Sequence, residues 1–295
     1  MQLAVYAAIL TGLSWGVATF AGGRAAKNVS PPLLTAIYNA VAGVIFATLY
    51  LLSDEHQSLS SSSSVSGNLL SKTIFFGTLG GLAFAVGLTA ITFGLSKGRS
   101  AVVGPIASTI EVLIPFCYAV IINELPDRIA VVGILLLFFV PWLVTRSKVE
   151  NTNHTTTIAR DISLGTLSGV GFASYYLALI VGPESTPLLT MTIVQIASAI
   201  SMTVVHIYLK RPWKIPSTHI GSAVIFVGFE TLGALTLRYA ISNGSPSVVA
   251  TLSAIIYVAS LLILSFIFVK ERFSRLQILG FILTIAGVSL VVLNS

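Results

Sequence analysis

Charged residues are scarce in this sequence of 295 residues. Asp, Glu, Lys and Arg make up only 9% of it, against about 25% in an ordinary soluble domain, and 55% of the residues are hydrophobic. So few charges cannot cover the water-exposed surface of a globule of this length, and the mean hydropathy of +0.94 indicates that lipid is the main solvent. The composition therefore fits poorly with a soluble enzyme, a nucleic-acid-binding protein or a disordered chain.

Cysteine is almost absent as well, since Cys117 is the only one. A single cysteine excludes an intrachain disulfide and a cysteine-based metal cluster. The four histidines lack metal-ligand spacing, and the sequence contains neither a phosphate-cradling Gly/Lys motif nor a nucleophile elbow. We therefore expect no metal, no cofactor, no enzyme activity and no ATP-driven pump. The basic residues form no stripe, which argues against a nucleic-acid partner.

Long apolar runs are what the sequence does contain. A helix needs about 20 mostly apolar residues to cross the hydrocarbon core of a bilayer, and ten such runs are separated by polar or Gly/Pro-containing segments. The prediction is an all-α integral membrane protein with ten transmembrane helices, embedded in the lipid bilayer of the cell membrane as a multi-pass protein. The predicted spans are Leu3 to Gly22, Pro32 to Leu52, Thr73 to Leu95, Ala101 to Ile122, Ile129 to Thr145, Ile162 to Val181, Pro187 to Leu209, Ile220 to Ile241, Val248 to Val269 and Leu276 to Leu293.

The distribution of basic residues predicts the orientation. Ten spans place both termini on one face, and that face receives only Lys72, Arg128 and Arg238 of the 16 Lys and Arg residues. The remaining 13 lie in the loops of the opposite face. Because cytoplasmic loops are enriched in Lys and Arg, the opposite face is predicted to be cytoplasmic and both termini to be outside.

The sequence contains an internal repeat. Ser30 to Thr35 reads SPPLLT and Ser185 to Thr190 reads STPLLT, and further along each half Val102-Val103 is matched by Val248-Val249 at a separation of 146 residues. We infer two repeats of five spans, over residues 3–146 and 160–293. Because five is odd, the second repeat enters the membrane upside down relative to the first. Inverted repeats are typical of secondary transporters, whose substrate site lies near the membrane midplane between the halves.

Motifs in both halves carry a family resemblance. The second half ends with a short Glu-containing turn at 270–274, followed by a last predicted helix that contains Gln277, Gly280 and 286–288 (AGV). The first half contains a weaker version of this motif at 123–125 (NEL), followed by Gly133. Together with Trp15-Gly16 in span one and Ser30-Pro31-Pro32 at the start of span two, these motifs make the chain resemble the EamA-like transporters of the drug/metabolite transporter superfamily. The resemblance implies a ten-helix transporter of small organic metabolites, and export as the direction.

The chain departs from that family in two respects. Members often carry an Arg shortly after the proline of span two, and here Tyr38-Asn39 occupies the place. A role tied to that Arg is therefore not transferred to this chain. Members are also commonly described with cytoplasmic termini, which is opposite to the orientation that the basic residues predict.

Two acidic residues lie in the middle of predicted spans. Glu111 is halfway along span four and Glu230 is halfway along span eight, and Tyr257 stands 146 residues after Glu111. Ionisable residues inside a membrane are costly and indicate a functional site. Desolvation disfavours the charged form, so a carboxyl group there is suited to carrying a proton or to binding an amine. We therefore predict one shared cavity lined by both halves. A permanently protonated Glu bound to a neighbouring helix is the alternative.

Other candidates for the cavity wall are Trp15 in span one and two amides, Asn39 in span two and Gln195 in span seven. An aromatic wall suits an amphipathic solute, and each amide offers a donor and an acceptor. Hydrogen bonding between helices is an equally good explanation of the two amides. Arg238 either lies near the outer mouth, where it would attract an anion, or extends to the membrane interface.

Taken together, these features predict a secondary transporter of a small organic metabolite, an amino-acid-like or amphipathic solute, moved outward by alternating access. Protons are candidate coupling ions, and the chain is expected to act as a monomer or a homodimer. An uptake transporter for a sugar or a carboxylate is a second hypothesis, which requires Arg238 to face the cavity. A non-transporting membrane scaffold or a channel is a third, and buried acids argue against a scaffold.

Overall fold

The computed structural model of the chain describes residues 2–56, 66–97, 100–121, 128–129, 132–133, 135–136, 139, 155–183, 185–244, 246–269 and 274–293. These described residues are mostly helical and contain no β-strand. The helices are α1 (Gln2–Ala25), α2 (Pro31–Leu51), α3 (Ser66–Ser96), α4 (Ser100–Ile121), α5 (Thr155–Val181), α6 (Pro187–Tyr208), α7 (Ser217–Asn243), α8 (Pro246–Leu264), which continues as a π-helical turn (Ser265–Val269), and α9 (Arg275–Leu293).

The described residues contain seven segments that are long and apolar enough to cross a bilayer. They lie in α1, α2, α3, α5, α6 and α7 and in the stretch from α8 through the π-helical turn, whereas α4 and α9 contain shorter apolar stretches. The chain is therefore a multi-pass membrane protein. The predicted fifth span, Ile129 to Thr145, lies mostly outside the described residues, so the count of ten remains a prediction.

Two helices start earlier than the apolar pattern predicts. α3 begins at Ser66 and α5 begins at Thr155, in each case seven residues before the predicted span. Hydropathy identifies the part of a helix that lies in lipid, but a helix satisfies its own backbone hydrogen bonds and can continue into polar surroundings. The polar segments that precede the third and the sixth predicted spans are therefore partly helical.

The helices of the two halves pack across each other. α1 packs against α7 and α8 of the second half, and α5, the first helix of the second half, packs against α3 and α4 of the first. α2 packs against α6, and both helices begin with proline, which suits a first turn because it lacks an N–H that would go unpaired. Each half thus completes its core with helices of the other.

Glycines make these crossings close. A Cβ atom on Gly12 of α1 would lie 2.5 Å from the carbonyl oxygen of Ser253 in α8, and one on Gly169 of α5 would lie 2.5 Å from the carbonyl oxygen of Ala107 in α4. Gly12 with Gly16, and Gly165 with Gly169, therefore form small-residue contacts between helices of one chain. The α1–α8 contact and the α5–α4 contact are equivalent in the two repeats. The side chains on α4 and α8 are therefore positioned equivalently.

Candidate functional site

A cavity lies where α1, α3, α4, α5, α7 and α8 meet. Its volume is only about 20 Å³. The cavity is therefore narrow in this conformation and holds about one water molecule. The residues that line it are Trp15, Thr19, Phe84, Leu88, Glu111, Phe172, Tyr175, Tyr176, Glu230 and Tyr257.

Two carboxyl groups face this cavity from opposite halves of the chain. Glu111 is 6% exposed and lies about 16 Å along α4 from its start, and Glu230 is 2% exposed and lies about 20 Å along α7. None of the ten lining residues is Lys or Arg. A buried carboxylate without a counter-charge is strongly unfavourable, so each group holds either a proton or the cationic group of a bound solute.

Several polar atoms of the cavity wall have no hydrogen-bond partner in the protein. They include the indole Nε1 of Trp15, the Oε2 atom of Glu111 and the phenol oxygen of Tyr176. A buried polar atom left unpaired costs about 1–3 kcal/mol. The indole offers a donor and the carboxylate an acceptor, so the cavity is suited to a polar solute or an ordered water that pairs with these atoms.

Tyrosine side chains connect the two acids electrostatically. The phenol of Tyr257 interacts with both Glu111 and Glu230, Tyr176 interacts with Glu111, and Tyr175 interacts with Glu230. The rings of Tyr175 and Tyr176 also contact each other, with centroids 5.6 Å apart. The two carboxyl groups therefore share one aromatic environment and do not lie in separate pockets.

The structure brings four of the six sequence-predicted site residues together, because Trp15, Glu111, Glu230 and Tyr257 all line this cavity. Asn39 and Gln195 are not among the lining residues. The amide of Asn39 donates to the carbonyl oxygen of Thr35 in its own helix (2.7 Å), and the amide of Gln195 donates to the hydroxyl of Tyr38 (3.4 Å). Both amides thus make hydrogen bonds within or between helices.

The sequence matches the EamA-like transporter family over residues 2–146 and 160–293. The chain belongs to that family. It is therefore a membrane transporter of the drug/metabolite type. A crystal structure of a protein with 17% sequence identity shares the fold, with a TM-score of 0.65 over 98% of this chain and 96% of that one. Among curated proteins none matches this sequence.

Sequence reasoning did not predict that Thr19, Phe84, Leu88 and Phe172 line the cavity. A signal for Phe84 is present, because Phe84 and Glu230 are separated by 146 residues, as are Glu111 and Tyr257. Gly87 and Gly233 share that separation. The position of a Cβ atom on Gly233 is 2.5 Å from the ring of Trp15, and that on Gly87 is 3.1 Å from the ring of Phe172. The repeat therefore places Phe84 and Glu230 at equivalent positions.

Arg238 lies two turns after Glu230 on α7 and is not among the lining residues. Its guanidinium donates to the hydroxyl of Ser242 and interacts electrostatically with Glu55 and Tyr175. Because Tyr175 lines the cavity, Arg238 lies near the cavity wall without being part of it. Among the described residues, no group of three His, Cys, Asp or Glu side chains is close enough to hold a metal ion.

Proposed function

We propose that this protein is a secondary transporter that moves a small organic solute with an amine group, either amino-acid-like or amphipathic, through this cavity. The observation that carries the proposal is the pair of buried carboxyl groups, Glu111 and Glu230, which reach one cavity from opposite halves. A scaffold would gain nothing from two desolvated acids at this depth.

An amine fits the chemistry of the wall better than an anion does. The ten lining residues include two acids and no Lys or Arg, and six of the remaining residues are aromatic. Carboxylates pair with an ammonium group, and aromatic faces attract cations through their ring quadrupole. An aromatic or aliphatic side chain of the solute would occupy the apolar part of the wall, which includes Phe84 and Leu88.

The narrow cavity supports alternating access. About 20 Å³ is too little for an organic solute, so a solute enters only after the two halves move apart on one side. Movement of one repeat against the other is the usual mechanism of transporters built from inverted repeats. A carboxyl group that exchanges its proton for the amine would couple this movement to a proton gradient, in which case Glu111 and Glu230 are the coupling groups.

The position of Arg238 does not support uptake of a sugar or a carboxylate. That hypothesis needs the guanidinium in the cavity, whereas Arg238 donates to Ser242 and lies outside the lining residues. The narrow cavity also gives no support to an open channel.

The first test is a thermal-shift screen of the purified protein with amino acids, amphipathic amines, sugars and dicarboxylates. A ligand that binds the folded state raises the unfolding temperature. We expect stabilisation by compounds with an amine, and we expect a pH gradient to drive their flux into or out of proteoliposomes. Glu111→Gln or Glu230→Gln should reduce that flux at least tenfold.

Arg238→Gln is the matched control for Glu230→Gln, because it replaces another ionisable residue of α7 that is not among the cavity-lining residues. Its flux should stay within about twofold of the unsubstituted protein. Stabilisation by sugars or dicarboxylates that is lost in Arg238→Gln would support the uptake hypothesis instead. Unchanged flux in both Gln variants would refute the role of the acids.

Orientation and direction belong to the same proposal. The 13 basic residues on one face favour both termini outside, and export from the cell is the direction that the resemblance implies. A reporter fused after Ser295 should therefore read extracellular. A cytoplasmic reading would show that basic residues do not set the orientation of this chain.

A further inference from the structure

A second and larger opening lies away from the central cavity, on the face that carries most basic residues. It is an open cleft of about 500 Å³ between the α1–α2 turn, the end of α3, the end of α6 and the segment that follows α6. Four of its lining residues are exposed cations, and none of the described lining residues is Asp or Glu. We call it the basic cleft; its cations are Lys27, Lys97, Arg211 and Lys214.

The cations reach the cleft from three different segments. Lys27 lies in the α1–α2 turn, Lys97 follows α3, and Arg211 and Lys214 follow α6. The ammonium of Lys97 lies 5.6 Å from the ring centroid of Phe93, which also lines the cleft. Four like charges around one concave surface repel each other unless an anion lies between them, so the cleft is electrostatically complementary to an anion.

The chain supplies an anion at the equivalent place on its other face. The N-terminus of α6 receives the carboxylate of Glu55, which accepts hydrogen bonds from the backbone N–H groups of Leu188 and Leu189, both at 2.9 Å. The N-terminus of α2 lines the basic cleft, and its N-cap residue Ser30 makes no capping hydrogen bond. The repeated sequence thus lies beside a carboxylate of the protein in one half and beside the cations of the basic cleft in the other.

An apolar groove lies between the same two helices that form one side of the basic cleft. The groove measures about 560 Å³, and the described residues that line it belong to α3 and α6, from Thr78 and Leu82 on α3 to Ile200 and Val204 on α6. α6 then continues into the cleft with Val205 and Leu209. Ile200 and Val204 are 60% and 59% exposed. The groove and the cleft are therefore adjacent along α6. Apolar residues of α6 line the groove, and cations of the cleft follow the C-terminal end of α6.

We propose that this composite surface binds an anionic phospholipid, with its phosphate-bearing headgroup in the basic cleft and an acyl chain in the groove between α3 and α6. Basic pockets between transmembrane helices suit anionic headgroups. The apolar groove beside the cations is the feature that selects a lipid over a free phosphate ion. The proposal is independent of the substrate of the central cavity.

The headgroup part is tested by native mass spectrometry and thermal unfolding of the purified full-length protein in a neutral detergent. Dioleoyl phosphatidylglycerol is titrated against dioleoyl phosphatidylcholine and against inorganic phosphate. We expect phosphatidylglycerol to be retained and to raise the unfolding temperature more than the other two. Lys97→Gln/Arg211→Gln should weaken its binding roughly thirtyfold, because each cation near a membrane surface contributes about fivefold.

Arg24→Gln/Arg275→Gln is the matched control for that double variant. It also removes two cations from the same face, and Arg24, like Lys97, stands over an aromatic ring, but neither Arg24 nor Arg275 lines the cleft. Its affinity for phosphatidylglycerol should change less than threefold. Equal losses in both double variants would mean that only the general charge of the face matters, and would overturn the proposed site.

The groove part is tested with Ile200→Trp, which fills the groove, against Val224→Trp on α7, which is 64% exposed and lies outside it. Only the first should weaken binding of phosphatidylglycerol, by roughly tenfold. Equal binding of phosphatidylcholine would overturn headgroup recognition. Stabilisation by inorganic phosphate that equals that by phosphatidylglycerol, with no effect of Ile200→Trp, would overturn the phospholipid in favour of a soluble anion.

Discussion

The two halves of this chain pack alike and differ in chemistry. α1 crosses α8 at Gly12 and Gly16, and α5 crosses α4 at Gly165 and Gly169, so the helix contacts are repeated. The side chains that these helices place in the cavity wall, in contrast, differ between the two halves. Because close helix contacts tolerate only small residues, both copies keep them, whereas side chains that face a cavity are free to diverge.

The divergence produces an asymmetric site from a symmetric frame. Where the first half places Glu111 the second places Tyr257, and where the second half places Glu230 the first places Phe84. Each half thus contributes one acid and one aromatic residue, but on different helices. An asymmetric solute, charged at one end and apolar at the other, is better matched by such a wall than by two identical ones.

The largest effect is expected from exchanging the residues of one equivalent pair. Glu111→Tyr should reduce transport of an amine at least tenfold, because it removes one carboxyl group from the cavity. Adding Tyr257→Glu returns a carboxyl group at the equivalent position, so we expect the double variant to regain at least part of the lost flux in proteoliposomes. A double variant that is no more active than Glu111→Tyr would show that the two positions are not equivalent.

The second expected effect is a loss of thermal stability that is equal in the two halves. Gly12→Ala and Gly169→Ala each place a Cβ atom 2.5 Å from a backbone carbonyl oxygen of the facing helix. Overpacking of this kind costs about 1–3 kcal/mol, and we expect similar losses of thermal stability in the two variants.

Gly228→Ala is the control for both glycine variants, since a Cβ atom there has no other atom within 4 Å. That variant should be neutral or slightly more stable, because Ala favours a helix over Gly by about 1 kcal/mol. Destabilisation in only one of the two halves would contradict the repeated packing.

A smaller loss of stability is expected from changes at the start of α6, where a carboxylate accepts two backbone hydrogen bonds, unlike at the start of α2. Glu55→Ala removes the acceptor of two backbone N–H groups and should lower the unfolding free energy by about 1–2 kcal/mol. Asp54→Ala is the neighbouring control, which removes an exposed acid. Chemical unfolding in mixed micelles measures both. Equal effects of the two substitutions would mean that the carboxylate of Glu55 does not stabilise α6.

The smallest expected effect is a change in KM, which distinguishes residues of the cavity wall from residues that only form contacts between or within helices. Trp15→Phe removes an unpaired indole donor from the cavity and should raise KM for an amine roughly threefold, the size of one net hydrogen bond. Asn39→Ala and Gln195→Ala should leave KM unchanged and lower thermal stability instead, since both amides donate to other protein atoms. A rise in KM for Asn39→Ala would place that amide in the solute path.

Much of the helical framework follows from hydropathy, for a physical reason. Lipid requires each span to be a long apolar helix, so the first predicted span, Leu3 to Gly22, falls within α1. The early starts of α3 and α5 could not be found in this way, because their first turns are polar. The shared cavity of Glu111 and Glu230 was predictable because an acid in a membrane has few other uses.

The rest of the site could not be predicted, because the sequence does not show which way a polar or aromatic side chain points. Asn39 and Gln195 have the same chemistry whether they face a solute or a neighbouring helix. Only packing distinguishes the two roles, and it places Gln195 against Tyr38. Phe84 is one of 16 phenylalanines, and its place in the wall follows only once the repeat is aligned on Gly87 and Gly233.

The most direct test of the central claim is to measure the reaction of Glu111 and Glu230 with a hydrophobic carbodiimide, mapped by peptide mass spectrometry, with and without the strongest amine ligand of the screen. Asp54, which is exposed and not among the cavity-lining residues, serves as the internal reference. The account predicts that the amine protects both Glu111 and Glu230 and leaves Asp54 unchanged. Protection of only one of the two acids, or of neither, would contradict a single site built from both halves.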